Sequence, residues 1–254
     1  CDIDTADDSI TLRANHARLK RKLPCENVRV ERCRLSSACN AIRLGVGDGV
    51  VRDAVFRDIA VYDTRTAVNF VGSWRRGGKG VDFENILFDG LEVEARQFCK
   101  MYPRYAKSAH IRAVRFSDVS GSVSSPSWVY GRRDRKIDDV TFENVVLPHG
   151  VIAFNIELLN IVGGSFFRVA LTPAEEEKYN RDIEEKNDFP GWMTNLSFEA
   201  GSSGHKADLN VRFTGAKGDG VAKDTRAIQK AIDICAISGG RVTVPPGTYL
   251  TGSV

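Results

Sequence analysis

Apolar and polar residues alternate in short runs along the first two thirds of the chain. Val28-Arg29-Val30-Glu31-Arg32, the stretches Val51 to Ile59 and Val81 to Ile86, then Ile111 to Val119 and Val140 to Val145 all keep a period of two. Successive strand side chains point to opposite faces, so these runs predict half-buried strands. Each run is followed by a second apolar motif, and the motifs repeat. Cys1-Asp2-Ile3 aligns with Cys33-Arg34-Leu35, which puts Ala6 on Ala38, Asp7 on Cys39, Asp8 on Asn40, Ile10 on Ile42 and Leu12 on Leu44. Ile59-Ala60-Val61 joins the same register, with Arg65 on Asp7, Thr66 on Asp8, Val68 on Ile10 and Phe70 on Leu12. Further copies begin near Leu91, Val119 and Val145, so the starts at 1, 33, 59, 91, 119 and 145 are 32, 26, 32, 28 and 26 residues apart. Loops of variable length inserted into a constant coil give such a spacing. Asn or Asp recurs near the middle of each copy, at Asn27, Asp53, Asn85, Asp118 and Asn144. Those side chains tolerate tight bends.

One such unit cannot bury its apolar face alone, but a stack can. The expected architecture is all-β, a right-handed parallel β-helix with one capping α-helix. A leucine-rich repeat is the runner-up. It is disfavoured by β-branched residues where leucines should recur and by the lack of a helix in each copy.

The pattern changes after Leu171. Residues 175–188 hold seven acids and three bases, and the pairs Glu177–Arg181 and Asp182–Lys186 are four apart. Such spacing predicts a solvated helix or an exposed loop. Gly201-Ser202-Ser203-Gly204 reads as a linker. Beyond it, Val211 to Gly220 is a strand running into a glycine-rich turn that lacks the spacing of a phosphate loop. Asp224 is placed to cap a helix whose apolar face is Ala227, Ile228, Ala231, Ile232 and Cys235, stopped by Gly239-Gly240. A helix laid over the end of a β-helix covers its open core. The expected organisation is therefore β-helix coils over 1–200, a linker over 201–208, and over 209–254 the cap helix with the first coil of the same β-helix.

Composition excludes more than it selects. With 254 residues, 42% hydrophobic and 27% charged, the chain is ordinary for a globular protein. A net charge of +3 gives no argument for nucleic acid, and no run of 18 apolar residues predicts a membrane span. The six cysteines form no CxxC pair, which argues against a zinc site, and His16, His110 and His149 show no ligand spacing. No metal and no cofactor is assigned. Cys1 and Cys33 share a register, which predicts stacked buried thiols rather than a disulfide.

The chemistry that stands out is Asp7-Asp8. Two neighbouring carboxylates repel when both are ionised, which favours a proton donor beside a charged partner. That is the equipment for acid–base cleavage of a glycosidic bond; a solvated turn is the other reading. A bend between the two residues is needed for both to face one cleft.

The residues Phe213-Thr214-Gly215-Ala216-Lys217-Gly218-Asp219-Gly220, Ala227 to Ile232, Gly239-Gly240 and Val244 to Tyr249 resemble the amino-terminal cap of the polygalacturonase-like enzymes, glycoside hydrolase family 28. Cys1 to Leu12 resembles that family's Asp-Asp catalytic coil, and Cys25 to Gly45 its next coil. The order differs, because the family's cap precedes its catalytic coil. The simplest account is an engineered circular permutation or rearranged chain, a natural tandem cut at both ends being the alternative. The coils that carry the family's third catalytic aspartate have no counterpart here. The resemblance implies hydrolysis with inversion, Asp7 as general acid and Asp8 activating water. It also implies a polysaccharide or oligosaccharide substrate, no nucleic-acid or membrane partner, and a secreted or periplasmic location; it leaves the oligomeric state unknown.

Some family positions are altered. The Gly-His-Gly motif falls on Cys39-Asn40-Ala41, and the Arg-x-Lys motif that binds a uronate carboxylate falls on Asn69-Phe70-Val71. Asn40 and Asn69 are the substrate-binding candidates by position, and Arg43 and Arg65 are the candidate replacement cations, each with a surface ion pair as the plainer reading. The substrate expected is a pectin-like acidic polymer, including modified or neutral units. Basic loops at Arg18 to Lys22, Arg75 to Lys79 and Arg132 to Lys136 would suit such a polymer if they share a rim. Trp74, Trp128 and Tyr130 are placed either to stack on sugar rings or to pack against the wall. The alternatives to a hydrolase are an impaired carbohydrate-binding or scaffold β-helix, and a polysaccharide lyase.

Overall fold

The structure, a computed structural model, describes residues 1–16, 20–73, 78–103, 106, 108–186, 207–212, 216–238 and 240–252. The coiled part contains β1 (Asp2–Thr5), β2 (Ile10–Ala14), β3 (Cys25–Gly47), β4 (Val50–Val71), β5 (Asp82–Tyr102), β6 (Ile111–Ser125) and β7 (Ser127–Tyr130). It continues with β8 (Ile137–Val146), β9 (Val151–Phe154), β10 (Ile156–Gly164) and β11 (Arg168–Val169), followed by the helix α1 (Pro173–Lys186). The remainder holds β12 (Ala207–Asn210), β13 (Asp219–Lys223), α2 (Thr225–Ser238), β14 (Gly240–Thr243) and β15 (Thr248–Leu250).

Strands β1 to β11 make one sheet of 11 strands, in which β1, β3, β4, β5, β6, β8 and β10 follow one another as neighbours, every pair parallel. The chain is a parallel β-solenoid. Its register matches the repeat. Cys33 pairs with Ile59, Ile59 with Leu91, Leu91 with Val119 and Val119 with Val145, while Asp2 pairs with Arg34. One further step follows, because Val145 pairs with Gly164.

In-register stacking places like side chains on one another. Phe56, Phe88, Phe116 and Phe142 form a buried column with ring centroids 4.9, 4.7 and 5.1 Å apart and nearly parallel planes. Offset aromatic stacking adds about 0.5–1.5 kcal/mol per pair to the area buried. Cys1 and Cys33 also stack, with Sγ atoms 2.9 Å apart, but only Cys33 is buried and Cys1 is exposed, so the expected buried ladder is half realised.

The bends occupy two columns, not one. Asn27, Asp53, Asn85 and Ala113 share the first, with φ of 58°, 52°, 52° and 51°. Arg32, Asp58, Gly90, Asp118, Asn144 and Gly163 share the second, five positions further on, with φ between 52° and 68°. Asp118 and Asn144 thus belong to a different corner from Asn27, Asp53 and Asn85. Short amide and carboxylate side chains tolerate the left-handed region. They also bond across coils: Asn85 Nδ2 donates to Asp53 Oδ1 at 2.7 Å, and Asn144 Nδ2 to Asp118 Oδ1 at 3.1 Å.

The acidic segment is a helix, α1, started by a reciprocal cap. Thr172 Oγ1 accepts from the Glu175 amide at 3.3 Å, and Glu175 Oε2 accepts from the Thr172 amide at 2.7 Å. It is not wholly solvated, because Tyr179 is fully buried. Glu177 pairs with Arg133 at 3.0 and 3.1 Å rather than with Arg181.

In the last part of the chain β12 pairs with β14 and β13 with β15, in two-stranded sheets separate from the main one. Strand β12 starts at Ala207, inside the stretch expected as linker; residues 201–206 lie outside the described residues. Ile228 and Ala231 of α2 are buried in one cluster with Val211, Ala216 and Val146 of β8, whereas Ile232 is exposed. Asp224 sits at the start of α2, but its carboxylate accepts from the amides of Lys217 at 2.7 Å and Gly218 at 3.1 Å. It fixes the preceding turn, and the Asp224 carbonyl accepts the first bond of the helix from the Ile228 amide at 2.9 Å.

Ala113 is exposed and left-handed, where a Cβ without a local hydrogen bond costs roughly 1–2 kcal/mol. Ala113→Asn should raise the stability by about 1 kcal/mol, read as a higher denaturant midpoint at unchanged slope.

Candidate active site

Asp7 and Asp8 lie on the bend over residues 6–9 that joins β1 to β2. Three contacts hold the bend. The Asp7 carbonyl accepts from Ser37 Oγ at 2.6 Å and from Thr5 Oγ1, and the Ser9 amide donates to the Asn40 carbonyl at 3.1 Å. The bend lets two adjacent residues serve one site. Asp7 is exposed, while the Asp8 side chain is only 3% exposed.

Asp8 is enclosed by two donors. Arg43 Nη2 lies 2.6 Å from its Oδ2, and Asn40 Nδ2 donates to its Oδ1 at 2.6 Å. Arg43 is itself 8% exposed in its side chain, so this is a buried ion pair. Asn69 extends the chain by donating Nδ2 to Asn40 Oδ1 at 3.0 Å. The register explains the grouping, because Arg43 pairs with Thr11 on one side and Asn69 on the other. Asn69 Oδ1 is buried with no hydrogen-bond donor among the described residues.

Arg65 takes a different partner. Its Nη2 lies 2.7 Å from Cys39 Sγ, and Cys39 stands in the Asp7 column of the next coil. Cys39 Sγ and one oxygen each of Asp7 and Asp8 lie within 4.8 Å of one another. Burial pushes the Cys39 thiol above its ordinary value; Arg65 pulls it down, and Asp8 and Asp7 push it up. A metal ion could draw on Asp7, Asp8 and Cys39, but it would compete with the guanidinium groups of Arg43 and Arg65 for the same atoms. The structure therefore gathers all six candidates, Asp7, Asp8, Asn40, Arg43, Arg65 and Asn69, on one face in two linked groups. Cys39 was not among the candidates. Its alignment with Asp7 in the repeat was the signal available for it.

The outer face continues along the solenoid. Beyond Arg43 and Asn69 the same register position is held by Lys100, then Trp128, then Ile152. Asn69 and Lys100 are partly exposed, whereas Trp128 and Ile152 are buried. Two positions further along these strands, Tyr102, Tyr130 and Phe154 stack at 5.0 and 5.5 Å, and Tyr179 of α1 covers them. Trp128 and Tyr130 are thus packed under a helix and do not present open faces to a sugar. Trp74 lies outside the described residues.

The basic loops are only partly available. Arg132 pairs with Asp134 at 2.8 Å, Arg133 with Glu177 at 3.0 Å and Lys136 with Glu157 at 3.0 Å. Lys20, Arg21, Lys22 and Lys79 are exposed; Arg18, Arg75 and Arg76 lie outside the described residues. His149 is pushed below its ordinary value by burial, and His16 Nε2 lies 3.0 Å from the Leu23 carbonyl.

A stacked parallel solenoid with a carboxylate pair on its outer face is the class of protein this geometry defines. A family described as rhamnogalacturonase A/epimerase, pectate lyase-like, matches residues 209–254. The chain is 50% identical over 46 residues to an exo-poly-alpha-D-galacturonosidase of Dickeya chrysanthemi, covering 18% of this chain and 8% of that protein. It is 40% identical to a non-secreted LysM effector, LysM15, of Penicillium expansum, covering 24% of this chain and 5% of that protein. The chain thus spans less than a tenth of the length of these curated relatives. No solved structure matches.

Two outcomes follow from the buried pair and the thiol beside it. Arg43→Met leaves Asp8 charged, enclosed and unpaired, and should cost about 3–5 kcal/mol in denaturant unfolding, most of it recovered when Asp8→Asn is added. Alkylation of Cys39 by iodoacetamide, followed by peptide mass mapping, should lag behind a model thiol peptide at pH 8. Asp7→Asn should speed it and Arg65→Gln should slow it further, because removing a nearby anion lowers the thiol's pKa and removing a cation raises it.

Proposed function

We propose that this chain carries the catalytic face of a glycoside hydrolase that cleaves a pectin-like acidic polysaccharide. The observation that carries the reading is the exposed Asp7 carboxyl beside the enclosed Asp8–Arg43 pair, on the outer face of a parallel solenoid. The family match over 209–254 and the stretch shared with a galacturonosidase support the substrate class. On this reading the protein works outside the cell or in the periplasm; no described helix is long and apolar enough to cross a membrane.

Asp7 donates the proton to the leaving oxygen, and Asp8 activates water in an inverting displacement. Inversion needs acid and base about 6.5–9.5 Å apart to admit the water. The closest oxygens of Asp7 and Asp8 are within 4.8 Å, and both Asp8 oxygens hold donors, so the pair must open before water fits. A substrate uronate supplies a means, because its carboxylate competes with Asp8 for the Arg43 guanidinium by the same charge-assisted bonding. Arg65 offers a second cation on the open side, and the amides of Asn40 and Asn69 orient sugar hydroxyls.

A second reading is a carbohydrate-binding solenoid with an impaired site. The 3% exposure of the Asp8 side chain favours it. Reducing-sugar release from a panel of pectic polymers separates the two. The hydrolase reading expects release that falls by about 100-fold or more in Asp7→Asn, the range of a lost general acid. Binding without release from any polymer supports the second reading, and products that absorb in the ultraviolet would identify a lyase instead.

A further inference from the structure

We propose that α1 is the end wall of the substrate groove, fixed by Tyr179, and that the protein therefore cleaves near chain ends and not at random along a polymer. The inference rests on the hydrolase reading and deepens it.

The wall is visible where the outer face of the solenoid meets α1. From Arg43 the outward positions run through Asn69, Lys100, Trp128 and Ile152 on successive strands. Arg43 is 6% exposed and held by Asp8; Asn69 and Lys100 are partly exposed; Trp128, 5% exposed, belongs to the aromatic cluster that Tyr179 covers. What closes the face is α1. The Tyr179 ring lies edge-on to Phe154, with centroids 3.9 Å apart, and to Tyr130 at 5.0 Å. Burial pushes its phenol well above the ordinary value, the mark of a group without access to bulk water.

Two further anchors make α1 a fixed element. Asn155 Nδ2 donates to Asn180 Oδ1 at 2.7 Å, and Arg133 holds both oxygens of Glu177 at 3.0 and 3.1 Å. The helix is also acidic, with six Asp or Glu against three Lys or Arg over Pro173–Lys186. It opposes a polyanion by charge as well as by shape.

The distance sets the consequence. The strand after the Asp7–Asp8 bend, β2, and the Lys100 strand, β5, are three strand spacings apart, about 14 Å. A stiff polysaccharide that crosses the coils from Asp7 toward α1 has only that length before it meets the helix. Its end must lie there, so the fragment on that side is short and of fixed size.

The test is the size distribution of products from de-esterified polygalacturonate early in the reaction, with viscosity followed in parallel. One short product from the start, with a slow fall in viscosity, is expected. A ladder of sizes with a fast fall in viscosity would overturn the wall while leaving the hydrolase reading intact. No release from any acidic polymer overturns the hydrolase reading and the wall with it. Tyr179→Ala should turn the single product into a ladder. Should that variant not fold, Glu177→Ala combined with Asn180→Ala removes the two polar anchors and spares the aromatic cluster. An unchanged single product in a folded variant of either kind would show that the product length is set elsewhere.

Discussion

In-register pairing of parallel strands one spacing apart is the constraint on which the rest depends. The register from Cys33 through Ile59, Leu91 and Val119 to Val145 keeps outward positions over outward ones, apart from the shifts at Ser36–Asn40 and Val61–Thr64. A slip of one residue would carry the phenylalanine column into water and the charged columns into the core. Apolar burial drives the stacking, but it has no directional memory of its own. The register is fixed by where the chain can turn, and it turns where a left-handed residue is tolerated. The site inherits its geometry from this. Arg43 and Asn69 meet because β3 and β4 present the same face at the same height, and the bend before β2 brings Asp8 to Asn40 and Arg43.

Within that frame the site contains a deliberate imbalance between its two carboxylates. One is open to solvent and the other is enclosed with a guanidinium. Taking an ion pair out of water costs several kcal/mol per ion before their attraction offsets it, so such a pair is poor evidence of stabilisation. Its value lies in fixing the geometry. Asp8 holds Arg43, Asn40 orients Asp8, and Asn69 orients Asn40, so the amide and cation positions on the face form one connected network. Cys39 and Arg65 form the open half beside Asp7.

Much of the fold was legible in the residues. The six coil starts came from apolar motifs that recur in one register, and the pairing follows them. The corners were read less well, because one column was inferred where two exist. The reason is chemical: Ala113 occupies a position held by Asn or Asp in three other coils, and Gly90 and Gly163 interrupt the other corner. Asp and Asn alone could not separate positions five residues apart. At the site, the adjacent carboxylates and the resemblance to the family's motifs brought out Asp7, Asp8, Asn40, Asn69 and the two arginines. They could not say which arginine meets which acid, since that depends on side-chain reach across the face. Tyr179 was missed for another reason. A single tyrosine among acids and bases gives no periodic apolar face, and only the aromatic cluster it covers reveals its role.

The two corner columns make the coil a countable unit of the chain. A segment cut from one corner to the same corner of the next coil removes a full circuit and joins equivalent backbone conformations. The ladder then closes with one rung fewer. Loss of a single residue between corners has no such remedy, because it exchanges the inner and outer sides of all that follows up to the next bend. Variation in the number of coils is therefore quantised, while the loops outside the two corners vary in length from coil to coil. Such a molecule grows, shrinks and recombines by whole rungs, and the span between its carboxylates and α1 changes in steps of one strand spacing, about 4.8 Å, and by no smaller amount.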